Sequence, residues 1–164
     1  MALTYEPIAT TTLTSSASTI TFSSITGSYT DLFITGKWLP TSGGNYNILM
    51  RYNSDSGNNY SATYLFADSG GSQSARSTNI SGNYLISGNA TGSRAPIFMC
   101  HIQDYANTTT YKSGLLRNNW SDLWTMSTTN LWRNTSAIST ISFHTTNTDF
   151  EIGSYVTIYG IKAA

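Results

Sequence analysis

Charge is what this sequence has least of. Of 164 residues, eight are Lys or Arg and eight are Asp or Glu, so the net charge is zero and 10% of the chain is charged, against about 25% in an average soluble domain. The cations, Lys37, Arg51, Arg76, Arg94, Lys112, Arg117, Arg133 and Lys162, are scattered singly. Nucleic-acid binders draw much of their affinity from clustered cations that release counterions from phosphates, so nucleic acid is not an expected partner. No basic amphipathic helix is visible that would lie on a membrane. No apolar run approaches the roughly 18 residues that span a bilayer. A single cysteine, Cys100, forbids an intrachain disulfide. No Lys or Arg precedes Lys37, so the basic start of a signal peptide is missing and synthesis and folding in a reducing cytoplasm are expected.

Helical patterning is missing as well. Nowhere do apolar residues recur at i, i+3, i+4 and i+7 in a stretch rich in Ala, Leu, Glu and Lys. What the chain has instead is Ser, Thr and Asn in place of charge, with 13% aromatic residues, 11 of them Tyr and 4 Trp. Leu, Ile, Val and Phe make up roughly a fifth of it, near the level at which disorder becomes a question. Zero net charge and abundant aromatics argue for collapse. The length fits one domain, 1–164, able to bury a core without metal or disulfide. The low charge weakens repulsion between copies and favours self-association.

Short segments with period-2 alternation lie between Gly, Asn, Ser and Asp clusters, the pattern of strands and turns. Expected strands are Thr19–Ile25, Asp31–Leu39, Tyr46–Asn53, Tyr60–Ala67, Asn83–Ile86, Ile97–Asp104, Tyr111–Asn118, Leu123–Leu131, Ile138–Thr145 and Tyr155–Ile161. Residues 1–14 read as an N-terminal arm or edge strand, with Pro7 restricting Tyr5–Leu13 to an edge. Thr41–Asn45, Asp68–Thr78 and Gly88–Ser93 read as loops or turns. About nine or ten short strands at this spacing predict an all-β sandwich or barrel.

Residues that could carry chemistry are isolated. His101 and His144 stand alone in strands without metal-ligand spacing, and no nucleophile elbow, P-loop or dinucleotide fingerprint occurs. Asp149 and Glu151 are neighbours beside a turn; a pair of carboxylates meeting across the fold to form a glycosidase site is the catalytic alternative. Asn53-Ser-Asp55-Ser-Gly57-Asn58 superficially resembles a calcium loop but lacks its closing Glu, and reads as an Asx turn ending in a left-handed Gly57. Six Asn-x-Ser/Thr sequons, at Asn59, Asn79, Asn89, Asn107, Asn119 and Asn134, are discounted because no secretory signal is seen. Trp120, Trp124 and Trp132, with Tyr111 and Arg117, read as core or subunit-interface filler, with a carbohydrate-stacking surface as the alternative. No cofactor, metal or catalytic residue is expected.

Certain segments look familiar in order. Arg51-Tyr-Asn53-Ser-Asp55-Ser-Gly57-Asn-Asn59-Tyr60 resembles the R-F-N-x-D-x-G-x-N-Y strand–turn–strand segment of small virion proteins of tailed bacteriophages, including cyanophages. Ile102-Gln-Asp-Tyr105-Ala-Asn107-Thr-Thr-Thr110-Tyr111-Lys112 is similar to their I-x-x-Y-x-N-T-x-x-Y-K hairpin, and Leu131-Trp132-Arg133-Asn-Thr135 to their L-W-R-x-T turn. The ending, Phe150-Glu-Ile-Gly153-Ser154-Tyr-Val156-Thr-Ile158-Tyr159-Gly160-Ile161-Lys162, resembles F-x-x-G-S-x-x-x-L-Y-G-I-K. The opening Tyr5-Glu-Pro-Ile-Ala-Thr is also typical.

The resemblance implies a jelly-roll-like antiparallel β-sandwich serving as a non-enzymatic building block of the virion, commonly a homotrimer. The first expectation is a capsid decoration or cement protein whose partners are copies of itself and the major capsid protein, made in the host cytoplasm and found on the capsid exterior. The alternative is the trimeric receptor-binding head of a tail fibre or spike, contacting host surface glycans. A baseplate or neck fitting, or a depolymerase, stands behind these. Asn53, Asp55, Gly57, Tyr60, Trp132, Arg133, Gly153, Tyr159 and Gly160 mark the signature turns and last strand. Asn53 and Asp55 are expected to cap turn amides, Arg133 to stack on an aromatic or pair with an acid, and Gly160 to mark close backbone approach or a bulge.

Overall fold

A computed structural model describes residues 4–39, 45–89, 95–120 and 124–162, with the backbone alone described at 45, 46 and 86–89. The expected loop Thr41–Asn45 lies, apart from its last residue, outside the described residues, as does the later part of the expected turn Gly88–Ser93.

Twelve strands form among the described residues: β1 (Tyr5–Thr12), β2 (Thr19–Phe22), β3 (Asp31–Lys37), β4 (Asn45–Tyr52), β5 (Tyr60–Asp68), β6 (Gly71–Ile80), β7 (Asn83–Asn89), β8 (Ile97–Ile102), β9 (Lys112–Trp120), β10 (Trp124–Trp132), β11 (Ile141–Thr145) and β12 (Tyr155–Ile161). All pair antiparallel, in an eight-stranded sheet ordered β1-β12-β3-β8-β9-β10-β5-β6 and a four-stranded sheet ordered β2-β11-β4-β7. Set the β5–β6 and β9–β10 hairpins aside, and β1-β12-β3-β8 faces β2-β11-β4-β7. That is the strand order of a jelly roll. The two hairpins are insertions that double the width of one sheet and leave the other unchanged.

Alternation dictates which side chains face inward. Leu32 and Ile34 of β3, Phe98, Cys100 and Ile102 of β8, and Val156 and Ile158 of β12 are buried against Ile20, Ile48, Met50, Ile141 and Phe143 of the small sheet. Trp38, just past β3, fills the centre, stacked on Phe98 at 4.9 Å and Phe150 at 4.7 Å. Each buried ring removes roughly 150–250 Å² from water, an upper bound of about 4–6 kcal/mol apiece. Aromatics thus supply what few Leu and Val cannot.

The expected loop Asp68–Thr78 is instead the turn and most of β6. Asp68 pairs with Gly71 around the two-residue turn Ser69-Gly70, Gly71 takes φ +105°, and the Asp68 carboxylate accepts the Gly70 amide at 2.7 Å. Ser, Gln and Arg have little intrinsic preference for strands, but a strand at a sheet edge is decided by the partner that β5 offers it. β7 likewise runs to Asn89, through the first two residues of the expected turn. At the opposite end, β1 is the outer strand beside β12 of its own chain, where Pro7 costs no ladder bond.

Candidate functional site

Six of the signature residues, Asn53, Asp55, Gly57, Tyr60, Trp132 and Arg133, meet at one corner, where the β4–β5 turn meets the end of β10. Gly153, Tyr159 and Gly160 lie apart, before and within β12. Asp55 is the hub of the corner. Its carboxylate accepts the Trp132 indole N–H at 2.7 Å, the Gly57 amide at 2.8 Å and the Asn59 amide nitrogen at 2.9 Å. Burial pushes this carboxyl upward, but these donors and the Arg51 charge outweigh it and hold it below the ordinary carboxylate range. Tyr60 is buried, its hydroxyl donating to the Asp55 carbonyl at 3.1 Å and accepting the Tyr52 amide at 3.0 Å. Trp132 stacks on Tyr60 at 6.2 Å and meets Tyr52 edge-on at 5.5 Å.

Several details differ from expectation. Left-handed backbone falls at Asn53 and Ser54 (φ +50° and +59°), not at Gly57. At Gly57 a Cβ would sit 3.0 Å from the Asn59 amide nitrogen and 3.1 Å from an Asp55 oxygen, so a side chain there would press on the two groups that hydrogen-bond each other. The Asn53 side chain reaches across to another loop, accepting the Ser139 and Thr140 amides at 2.9 and 3.1 Å and donating to the Ala137 carbonyl at 2.8 Å. Among the described residues Arg133 neither stacks on a ring nor pairs with an acid; its guanidinium donates to the Asn58 carbonyl at 2.7 Å and the Asn79 side-chain oxygen at 3.1 Å. Gly160 keeps regular pairing with Glu6 and Leu32, without a bulge. What approaches it is the Tyr29 ring, which leaves no room for a Cβ. Gly153 does adopt positive φ, +87°, and its amide ties to the Leu13 carbonyl at 2.9 Å, while Tyr159 lies between Pro7 and Phe33.

Titratable groups are spread apart. His101 on β8 contacts the Asp31 carboxylate at 2.8 Å. His144 lies on the other sheet, between the Thr19 and Ser142 hydroxyls at 3.2 and 2.8 Å, and burial and the Arg51 charge lower its pKa. Lys112 is buried, its ammonium donating to the Thr110 and Thr135 carbonyls at 2.8 and 3.0 Å; desolvation pulls its pKa down against the opposing Asp104 charge. Among the described residues no three His, Cys, Asp or Glu side chains gather as metal ligands.

The three tryptophans read together in the sequence separate in space. Trp120 and Trp132 are buried, Trp124 is half-buried on the inner face of β10, and Tyr111 is exposed. Trp124 borders a groove of about 620 Å³ where the wide sheet runs past the edge of the narrow one. Tyr64 and Phe66 of β5 form its floor beside Met126 and Thr128 of β10, Gln73 of β6 forms one side, and Tyr84 of β7 forms the rim. Volumes of roughly 300–1,000 Å³ are usual for small-ligand sites. Tyr60–Ala67 alternation was a faint signal for this wall; β6, read as a loop, hid the rest.

The outer face of the wide sheet carries a second feature. Met99, Arg117, Ser127 and Leu65 lie side by side across β8, β9, β10 and β5. Ile97 and Leu115 flank that row, and Leu65, Leu115, Ile97 and Met99 are 64%, 56%, 44% and 43% exposed.

Fold and site together define a jelly-roll module widened by two hairpins, with an aromatic groove inside the widened sheet and a weakly charged apolar face outside it. No family model and no curated protein matches the chain. Among solved structures, an alginate lyase mutant in complex with an alginate tetrasaccharide is similar at 10% identity and a TM-score of 0.28, covering 82% of this chain and 70% of that one. A likeness of that size carries no argument about activity or ligand.

Proposed function

We propose that this chain is a non-enzymatic structural protein of a phage virion, a decoration (cement) protein that binds the outer head surface as a homotrimer and stabilises it against the major capsid protein. The observation that carries the reading is the outer face of the wide sheet. Four large apolar side chains stand exposed on this face, among Thr and Ser and around Arg117, with Lys37 beside Ile97. An exposed apolar patch of this kind marks an interaction surface, and its cations suit an acidic rim on the partner. The order of the motifs along the chain supports the virion assignment.

Cryo-electron microscopy of intact particles tests it. Density for this fold on the head surface, with Leu115 and Met99 in contact, is the expected result; copies confined to the tail overturn it. Light scattering at assembly-like concentration checks the trimer, and a stable monomer contradicts that part.

The groove favours a second reading, the trimeric receptor-binding head of a tail fibre or spike, which would use half-buried aromatics to hold a host surface glycan.

A further inference from the structure

We infer that the groove between the widened sheet and the edge of β7 is a binding site for a neutral oligosaccharide. The inference deepens the second reading by naming the ligand's chemistry and the residues that hold it, and as a binding property of the chain it stands wherever on the particle the protein sits.

The walls set the first requirement. Tyr64 and Phe66 lie two residues apart on the same face of β5, with ring centroids 6.2 Å apart and planes tilted by 42°. Across the pairing register, Tyr64 sits beside Thr128 and Phe66 beside Met126. Trp124 completes the row, held edge-on by the buried Trp120 at 6.0 Å and 69°. All three rings are half-buried, in contrast to the sealed Trp38 and Trp132. Aromatic area left partly open on a concave surface is what the C–H face of a pyranose ring covers.

The polar groups set the second requirement. Thr128 is 3% exposed and lines the groove, yet its hydroxyl has no hydrogen-bond partner among the described residues. Trp38, Asn83, Asn118 and Asn130 also carry buried polar atoms without a partner among the described residues, but Thr128 is the one of this set that lines the groove, and its desolvation is not repaid by the chain itself. A hydroxyl-bearing ligand in the groove would satisfy it, whereas a purely apolar occupant would not. Gln73 and Asn47 add amides that both donate and accept, and Ser77 adds a hydroxyl that does the same. Sugar hydroxyls need such two-way partners.

Charge sets the third requirement. Among the described residues that line the groove, Asp68 is the one carboxylate and none is Lys or Arg. An acidic sugar such as a uronate or sialic acid would meet one like charge and no cation among the described residues. Arg76 on β6 pairs with Thr63 on the opposite face of the sheet and does not supply that cation.

The test begins with the intact chain on an array of neutral and acidic oligosaccharides, followed by calorimetric titration of the best neutral ligand. Binding of a neutral oligosaccharide is expected, with Trp124→Ala and Thr128→Val each weakening it by about tenfold. Leu115→Ser, on the outer face, should leave it unchanged. Thr128→Val keeps the side-chain shape, so its thermal unfolding midpoint should stay within about 4 °C of the parent's, and it carries the test if Trp124→Ala fails to fold. Absence of neutral-sugar binding at millimolar concentration, preference for uronates, or binding indifferent to Thr128→Val overturns the inference. The second reading fails separately: copies found only on the head remove the receptor role while leaving sugar binding intact.

Discussion

The eight jelly-roll strands and the two inserted hairpins use the same residue types to opposite ends. Within the jelly roll each sheet covers the other, and Trp38, Phe98, Phe143 and Phe150 stack into a sealed centre. In the insertion, β5, β6 and β10 have no second sheet over most of their inner face among the described residues, and Tyr64, Phe66 and Trp124 remain half-open. Buried polar side chains also concentrate on β9 and β10, where Asn118, Thr128 and Asn130 lie below the surface. An aromatic ring is core filler where a layer covers it and a ligand wall where none does. Coverage, not composition, separates the two.

The sharpest way to break that contrast is truncation of one ring from each region. Trp38→Ala should cost about 3–5 kcal/mol in urea unfolding, as large aromatic deletions in a sealed core do. Trp124→Ala should cost about 1 kcal/mol or less, because its ring is already partly hydrated. Equal losses would show that the groove is as closed as the core.

Alkaline unfolding probes the sealed side next. Burial pushes the Cys100 thiol from 9.0 up to about 12, and burial also raises Tyr52, Tyr60 and Tyr105. These groups stay protonated when folded and ionise first in the unfolded chain. Stability should therefore be steady below pH 9 and fall as pH climbs toward 12, by on the order of 4 kcal/mol from Cys100 alone. Urea midpoints measured across that range check it, and Cys100→Ala should flatten the first part of the decline. A flat profile in the parent would mean water reaches this core.

Asp55 tests the junction between the two regions. Asp55→Asn should cost about 1–3 kcal/mol near neutral pH, since the buried Trp132 indole and the turn amides lose a charged acceptor. The sign with pH follows from the lowered carboxyl. Its contribution is full above 3.8 and is lost as pH falls through the lower folded value, so the parent should approach the variant in acid. Parallel acid profiles for the two proteins would contradict the hub role.

The smallest effect sharpens the groove. Thr128→Val should change stability by less than about 1 kcal/mol, in either direction, because the hydroxyl it removes has no partner among the described residues. Scanning calorimetry checks this, and a large loss would reveal a structural bond at that hydroxyl.

Much of the jelly roll was legible in the residues. Leu32 and Ile34 alternate against polar neighbours, and they line the core. The cluster around Asn53–Asn59 marks a turn, and it is one, although the left-handed residues are Asn53 and Ser54 and not Gly57. Lys112 gave no warning of its burial, since a lone cation at a strand start looks like any surface Lys. The groove was hardly legible. Its walls come from β5, β6, β7 and β10, and β6 has the polar composition of a loop and becomes a strand through pairing with β5.

Period-2 alternation and turn chemistry by themselves determined an all-β sandwich or barrel, the faces of its better strands and its principal turns. These are local properties, written in neighbouring residues. Tertiary structure alone decided that the β5–β6 hairpin pairs with β10 instead of closing over the jelly roll. Backbone hydrogen bonding along a strand edge is nearly blind to sequence, so no short motif announces which edge a hairpin will join. That choice widened one sheet past its cover and left the aromatic groove open.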